Sequence, residues 1–205
     1  MDLVLATRNR DKIKELKALL SSLPLKIMAV EEFPDTVEVA EDGKDCRENA
    51  IKKAVEVSRE TGKPALADDS ALEIDALDGA PGVYSARYAG ENATYADNRA
   101  RVLTEMKGFP DAKRTARFRT VLALAIPGRK VILTQAVTEG SIGQKEQGEE
   151  GFGYDPIFHL KGDGRSYSQM TREEKNQVSH RAKAAEEMKK ILEKILEEDQ
   201  VKGKK

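Results

Sequence analysis

The sequence predicts an α/β fold built on a mixed β-sheet, and three observations carry that reading. Short apolar runs alternate with helix-period segments through the first third of the chain. Two long strand-like runs, "TARFRTVLALAIP" and "KVILTQAVTEGSI", meet at Pro127-Gly128-Arg129 and predict an antiparallel hairpin. The chain closes with a long amphipathic segment in which Ala182, Ala185, Met188, Leu192 and Ile195 recur at helical spacing.

The elements follow in order. Asp2 to Ala6 is apolar after its first residue and reads as a strand buried on both faces. The polar loop Thr7 to Lys12 separates it from a helix carrying Ile13, Leu16, Leu19 and Leu20, and "KIMAV" then predicts a second strand. An acidic loop, Pro34 to Gly43, precedes Asp45 and Glu48, whose spacing is that of a capping box. The helix opened there places Ala50, Ile51, Ala54, Val55 and Ser58 on one stripe and stops near Gly62-Lys63-Pro64. "ALAD" predicts a short strand, "ALEIDAL" a separate apolar stretch, and Asp78 to Gly82 a turn. Thr94 and Asp97 cap a helix through Met106, "IFHL" reads as a strand, and Thr171 with Glu174 forms a second capping box. At 205 residues, one domain over 1–198 with a disordered tail over 199–205 is the expected organisation.

Composition removes several function classes. The 35 basic and 36 acidic residues leave a formal net charge of -1, so no global cationic footprint points to nucleic acid. One cysteine, Cys46, excludes an intrachain disulfide framework and reads as a structural thiol. No run reaches the ~18 apolar residues of a membrane span, and "MDLVLATRNR" lacks the apolar stretch of a signal peptide. A cytoplasmic protein without membrane or nucleic-acid partners is expected.

Four stretches carry candidate chemistry. Thr7, Arg8, Asn9, Arg10, Asp11 and Lys12 lie between a buried strand and a helix start, where backbone N–H groups and the dipole attract anions. An ordinary solvated loop explains that stretch equally well. Asp68 and Asp69, with Ser70 beside them and Glu41, Asp42 and Glu48 upstream, read as an acidic edge at a strand end suited to magnesium and a phosphate ligand. The plain alternative is a surface turn. In "EEGFGYDP", Gly151 and Gly153 flank Phe152, and Phe152 and Tyr154 offer flat faces to a base; a tight turn accounts for the same residues. In "KNQVSHR", Ser179 reads as an N-cap, which sets the cation Arg181 against the helix dipole. No Cys/His set has zinc spacing.

Together "LATRNRDKIKE", "ENAIKKA", "LADDSAL", "GAPGVYSARYAG", "GFGYDPIF" and "TREEKNQVSHRAKA" resemble the inosine triphosphate pyrophosphatase family. The resemblance implies an elongated, twisted mixed sheet with flanking helices, two lobes around a nucleotide-binding cleft, and a homodimer. It implies magnesium-dependent hydrolysis of non-canonical purine nucleoside triphosphates to the monophosphate and pyrophosphate. Carried over by position, Thr7 to Lys12 hold the triphosphate, and Asp69 is the general base or a metal carboxylate, with Glu41 as a second metal carboxylate. Ser70, Phe152, Gly153, Tyr154, Asp155, Lys175, His180 and Arg181 hold the nucleotide, His180 and Arg181 as donors to an oxygen at the purine six-position. Three positions depart from the family: Ala71 stands where glycine is usual, Arg8 where a small or polar residue is usual, and Asp45-Cys46 where threonine-phenylalanine is usual. Two other readings compete, a non-catalytic purine nucleotide sensor and a pyrophosphatase for modified pyrimidine nucleotides.

Overall fold

A computed structural model describes residues 1–202. The strands β1 (Asp2–Leu5), β2 (Lys26–Ala29), β3 (Ala65–Ile74), β4 (Pro81–Gly82), β5 (Thr115–Ala125), β6 (Ile132–Ile142) and β7 (Phe158–Leu160) form one mixed sheet. Its order is β2-β1-β3-β5-β6-β7, with β4 paired to β3. The helices are α1 (Arg10–Leu19), α2 (Cys46–Thr61), α3 (Tyr95–Glu105), α4 (Arg172–Val178) and α5 (His180–Lys202). The α/β class and the mixed sheet expected from the sequence are both present.

The chain divides into two compact units. One comprises Met1–Asp69, Val121–Gln135 and Arg181–Lys205, and the other Ser70–Thr120 and Ala136–His180. In the chain, the boundary thus falls between Asp69 and Ser70, and again between His180 and Arg181.

In the first unit β1 pairs in parallel with β2 and with β3. Leu3, Val4 and Leu5 are completely buried, as a parallel strand flanked on both sides requires. Asn9 caps α1, its side chain accepting from the N–H groups of Asp11 and Lys12. Asp45 caps α2 by accepting from the Glu48 N–H, but Glu48 reaches back to the Lys44 N–H, so the expected reciprocal box is only half formed. Gly62 ends α2 at φ 64, in the left-handed region where glycine is favoured. The buried stripe of α2 is Cys46, Asn49, Ala50, Lys53, Ala54, Val57 and Ser58. The expected stripe had Val55 in that face; Val55 is 39% exposed and Lys53 is buried instead.

The second unit is organised around Leu72, Ile74, Val102, Met106, Phe118, Ile142, Tyr154, Ile157, Phe158, Tyr167 and Met170. Thr94 and Asp97 cap α3 reciprocally, as Thr171 and Glu174 cap α4. Arg114 is 2% exposed. Its guanidinium donates to the carbonyls of Met106 at 2.7 Å, Ile142 at 2.7 Å and Gly143 at 2.6 Å, tying the end of α3 to the end of β6. Burial pulls its pKa below the usual arginine value.

Two expectations change. "ALAD" and "ALEIDAL" are one ten-residue strand, β3, so Asp68 and Asp69 lie inside a strand and not at its end. The final helix continues through Lys202, so Asp199 to Lys202 are helical where a disordered tail was expected, and 203–205 lie outside the described residues. Its apolar positions Ala182, Ala185, Met188, Leu192 and Ile195 are all buried, as their spacing required. Ala71 is extended within β3, since Asp78 is the one described non-glycine residue with positive φ. The alanine is therefore accommodated without strain.

Arg114→Met is expected to cost about 2–4 kcal/mol, because it strands three buried carbonyls. A urea titration checks this: the midpoint falls with an unchanged m-value. A midpoint equal to that of the parent would show that the clamp is dispensable.

Candidate functional site

β3 dictates the site in the first unit. Successive side chains of a strand point to opposite faces, so Asp68 and Asp69 cannot share a counter-ion through their carboxylates. Each is met from a different element. Asp68 is completely buried and receives Lys12 Nζ of α1 at 2.7 Å and Arg181 Nε of α5 at 2.7 Å. Arg181 also donates to Glu15 of α1 at 2.6 Å, and Glu15 is itself buried. Asp69 receives Lys53 Nζ of α2 at 2.8 Å.

Lys53 does more than neutralise Asp69. Its ammonium lies 2.6 Å from Glu41 and donates to the Asp68 carbonyl at 3.0 Å, so one buried cation gathers two carboxylates. Glu41 arrives from an irregular segment pinned beside α2: the Gly43 N–H donates to Asn49 Oδ1 at 2.8 Å, and Lys52 pairs with Asp42 at 2.7 Å. A Cβ on Gly43 would sit 2.6 Å from Asn49 Oδ1, so this close approach needs glycine.

The electrostatics follow from these contacts. Burial alone would raise the Asp68 pKa, but Arg181 and Lys12 overwhelm it and hold the carboxyl far below the usual range. Arg181 moves oppositely, its charged form favoured against burial by Asp68 and Glu15. Lys53 is raised because Asp69 and Glu41 outweigh its desolvation. Burial first, then the Asp69 charge, pushes the Cys46 thiol up, consistent with a structural thiol and not a nucleophile.

The phosphate-loop candidates fare differently from one another. Lys12 enters the acidic cluster. Asn9 spends its side chain capping α1, and Thr7 Oγ1 accepts from the Asn9 N–H. Arg8 is exposed and donates to the Thr36 carbonyl at 3.0 Å, so it crosses to the segment leading to Glu41. Arg10 is exposed at the first position of α1, and Asp11 pairs loosely with Lys14 at 3.8 Å.

The second unit assembles the other candidates. Lys175 and Asp155 form a buried pair at 2.6 Å. Asp155 Oδ2 also accepts from the Phe152 N–H at 2.8 Å, which folds Gly151 to Asp155 into a turn. Gly151 has φ 78, and a Cβ there would meet Asp155 Oδ2 at 2.2 Å, so this turn too requires glycine. The Lys175 ammonium lies 5.0 Å from the centre of the Phe152 ring and 5.6 Å from that of Tyr167. His180 stacks on Phe118 with centroids 4.4 Å apart and planes inclined by 11°. Tyr154 donates to the Ser85 carbonyl at 2.8 Å, and the Ser70 and Thr120 hydroxyls meet in a short hydrogen bond.

Ser179 separates α4 from α5 with an extended backbone, and the two residues after it diverge. His180 joins the aromatic group, whereas Arg181 turns to Asp68 and Glu15. The guanidinium of Arg181 thus serves the buried Asp68 and Glu15. Sequence reasoning missed Lys53, Glu15, Phe118 and Tyr167. For Lys53 and Glu15 a signal existed: each is a charge within the buried stripe of its helix.

As for a metal, no group of three His, Cys, Asp or Glu side chains suited to one is found among the described residues. Asp69 and Glu41, converging on one ammonium, are nevertheless the hard-oxygen pair that magnesium uses when phosphate oxygens and water complete its shell. The donor set fits that ion.

Asp68→Asn leaves Lys12 and Arg181 buried against a neutral group, for an expected loss of about 3–5 kcal/mol. The pH dependence has a definite sign. A carboxyl with a lowered folded pKa contributes stability that is fully present above the unfolded value of about 3.9 and is lost as pH falls toward the folded one. Denaturant titrations between pH 2 and 7 are expected to show a steeper acid decline in the parent than in Asp68→Asn. Parallel profiles would contradict this.

Comparison with known proteins places this geometry. Residues 3–191 match the Ham1 family. The dITP/XTP pyrophosphatase of Geobacillus kaustophilus is 45% identical over 195 residues, covering 95% of this chain and 96% of its own. That of Geobacter sulfurreducens is 49% identical over 182 residues, covering 89% and 92%. A HAM1 protein from Coxiella burnetii superposes with a TM-score of 0.86 at 40% identity, over 95% of this chain and 99% of that one. With the match running from the first strand into the last helix, the chain belongs to the Ham1 family.

Proposed function

We propose that this protein hydrolyses non-canonical purine nucleoside triphosphates, inosine, deoxyinosine and xanthosine triphosphates among them, to the monophosphate and pyrophosphate. The relatives named dITP/XTP pyrophosphatase support the reaction class. The observation that carries it here is Lys53, a buried cation that gathers Asp69 and Glu41 beside the Lys12–Asp68 pair.

Phosphoryl displacement asks for positioning and charge neutralisation more than covalent help. Lys12 and Lys53, with Arg8 and Arg10 at the loop, neutralise the triphosphate. Asp69 orients the attacking water and accepts its proton, and attack falls on the phosphorus nearest the sugar so that pyrophosphate leaves. Asp69 and Glu41 would hold magnesium, which supplies charge stabilisation on the phosphate oxygens. Asp68 and Glu15 act at one remove, fixing Lys12 and Arg181.

The base is taken by Phe152 and His180. Phe152 provides a flat face, held by Asp155 and Lys175, and His180 donates to the six-oxygen of hypoxanthine or xanthine. Adenine presents an amino group there, setting donor against donor. A cytoplasmic homodimer completes the reading, and no helix among the described residues is long and apolar enough to cross a membrane.

Pyrophosphate release with magnesium, compared across inosine, xanthosine, guanosine, adenosine and thymidine triphosphates, is the direct test. Inosine and xanthosine triphosphates are expected to exceed adenosine triphosphate by at least about 100-fold in kcat/KM. Preference for thymidine triphosphate would favour the pyrimidine enzyme, and tight binding without pyrophosphate release a sensor. Asp69→Asn is expected to lower kcat by about 100-fold or more while the protein stays folded. Arg181→Lys is expected to slow inosine and adenosine triphosphates by the same factor, and a changed ratio would return Arg181 to base reading.

A further inference from the structure

The turn that carries Phe152 is fixed at its N-terminal side, where Asp155 accepts the Phe152 N–H. Its other side has a different anchor. Arg99, one turn into α3, donates from Nη1 to the Gly153 carbonyl at 3.0 Å. Nε of the same guanidinium lies 2.9 Å from a Glu146 carboxylate oxygen, an ion pair by distance whose N–H is not aligned for a hydrogen bond, so charge attraction joins α3 and the turn to the segment that follows β6. The Arg99 side chain is 15% exposed, well shielded for an arginine, and Glu146 is 44% exposed. Also on α3, Tyr95 lies 5.9 Å from Phe152 between ring centres, with planes inclined by 45°.

Gly153 makes such an anchor consequential. It sits at φ 62, where glycine moves freely and its peptide has little intrinsic stiffness. Without that donor, the Gly153 carbonyl and the peptide joining it to Tyr154 lose their side-chain anchor, while the Phe152 carbonyl still accepts from the Asp155 N–H at 3.1 Å. A flat side chain binds a base well only if little motion is lost on binding.

We infer that Arg99, oriented by Glu146, is a positioning residue that locks the Gly153-Tyr154 peptide and so presets the adjoining Phe152 as the platform for the purine base. This rests on the purine nucleotide reading above. Arg99 touches neither phosphates nor the attacking water, so its removal weakens binding and spares the chemical step.

The chain contains no tryptophan, so Phe152→Trp introduces a single selective fluorophore at the platform itself. In that background Arg99→Ala is expected to raise acrylamide quenching without nucleotide by about twofold, with Arg99→Lys partly restoring the parent value and Glu146→Gln intermediate. With Phe152 restored, Arg99→Ala is expected to raise KM for inosine triphosphate by about 5–10-fold and to leave kcat within about twofold. Unchanged quenching overturns the inference, as does raised quenching with an unchanged KM, or a loss confined to kcat. A parent protein that releases no pyrophosphate defeats the hydrolase reading alone. Inosine triphosphate affinity, read from the introduced tryptophan in chelator, then replaces KM and decides the role of Arg99.

Discussion

Two adjacent carboxylates in the interior of a strand are the constraint on which the rest of this structure turns. A strand sends Asp68 and Asp69 to opposite faces, and burial makes an uncompensated charge on either face very costly. The fold answers with cations from three helices, Lys12 of α1, Lys53 of α2 and Arg181 of α5. Each answer fixes something else. Arg181 draws in Glu15, Lys53 draws in Glu41, and Glu41 brings the segment around Gly43 against α2. These charges are therefore the packing scheme of the first unit. In the function proposed above, stability and chemistry would draw on the same ion pairs.

The second unit solves a different problem with fewer charges. Its buried Lys175–Asp155 pair lies against aromatic rings, and its buried Arg114 donates to three carbonyls. The result is a set of flat surfaces, Phe152 and His180 in particular, held by polar contacts at their edges. Gly151 and Gly153 are tolerated there because their neighbours supply the stiffness that glycine lacks: Asp155 on one side and Arg99 on the other.

Much of this was legible in the sequence, for physical reasons. Helix caps declared themselves because Asp45, Thr94 and Thr171 sit where an orphan N–H must be satisfied, and the buried face of α5 followed from its period. Two features were hidden. Acidic residues favour turns, so Asp68-Asp69 looked like a strand end, and only the cations arriving from distant helices allow β3 to run through it. The family resemblance pairs Arg181 with His180 as nucleotide ligands, and the structure adds the contact of Arg181 with Asp68. Local propensity cannot show that Asp68, 113 positions away, claims its guanidinium. Lys53 was readable in principle, as a charge on an otherwise apolar stripe.

The central claim is that Lys53 and Asp69 are energetically one object, a buried cation and carboxylate that neither unit of charge survives without. A double-mutant cycle with Lys53→Met and Asp69→Asn, followed by denaturant titration, measures it most directly. The account predicts a coupling of about 1–3 kcal/mol, the double variant being more stable than the sum of the single losses implies. Strictly additive losses would mean that the two groups merely lie side by side, and would contradict it.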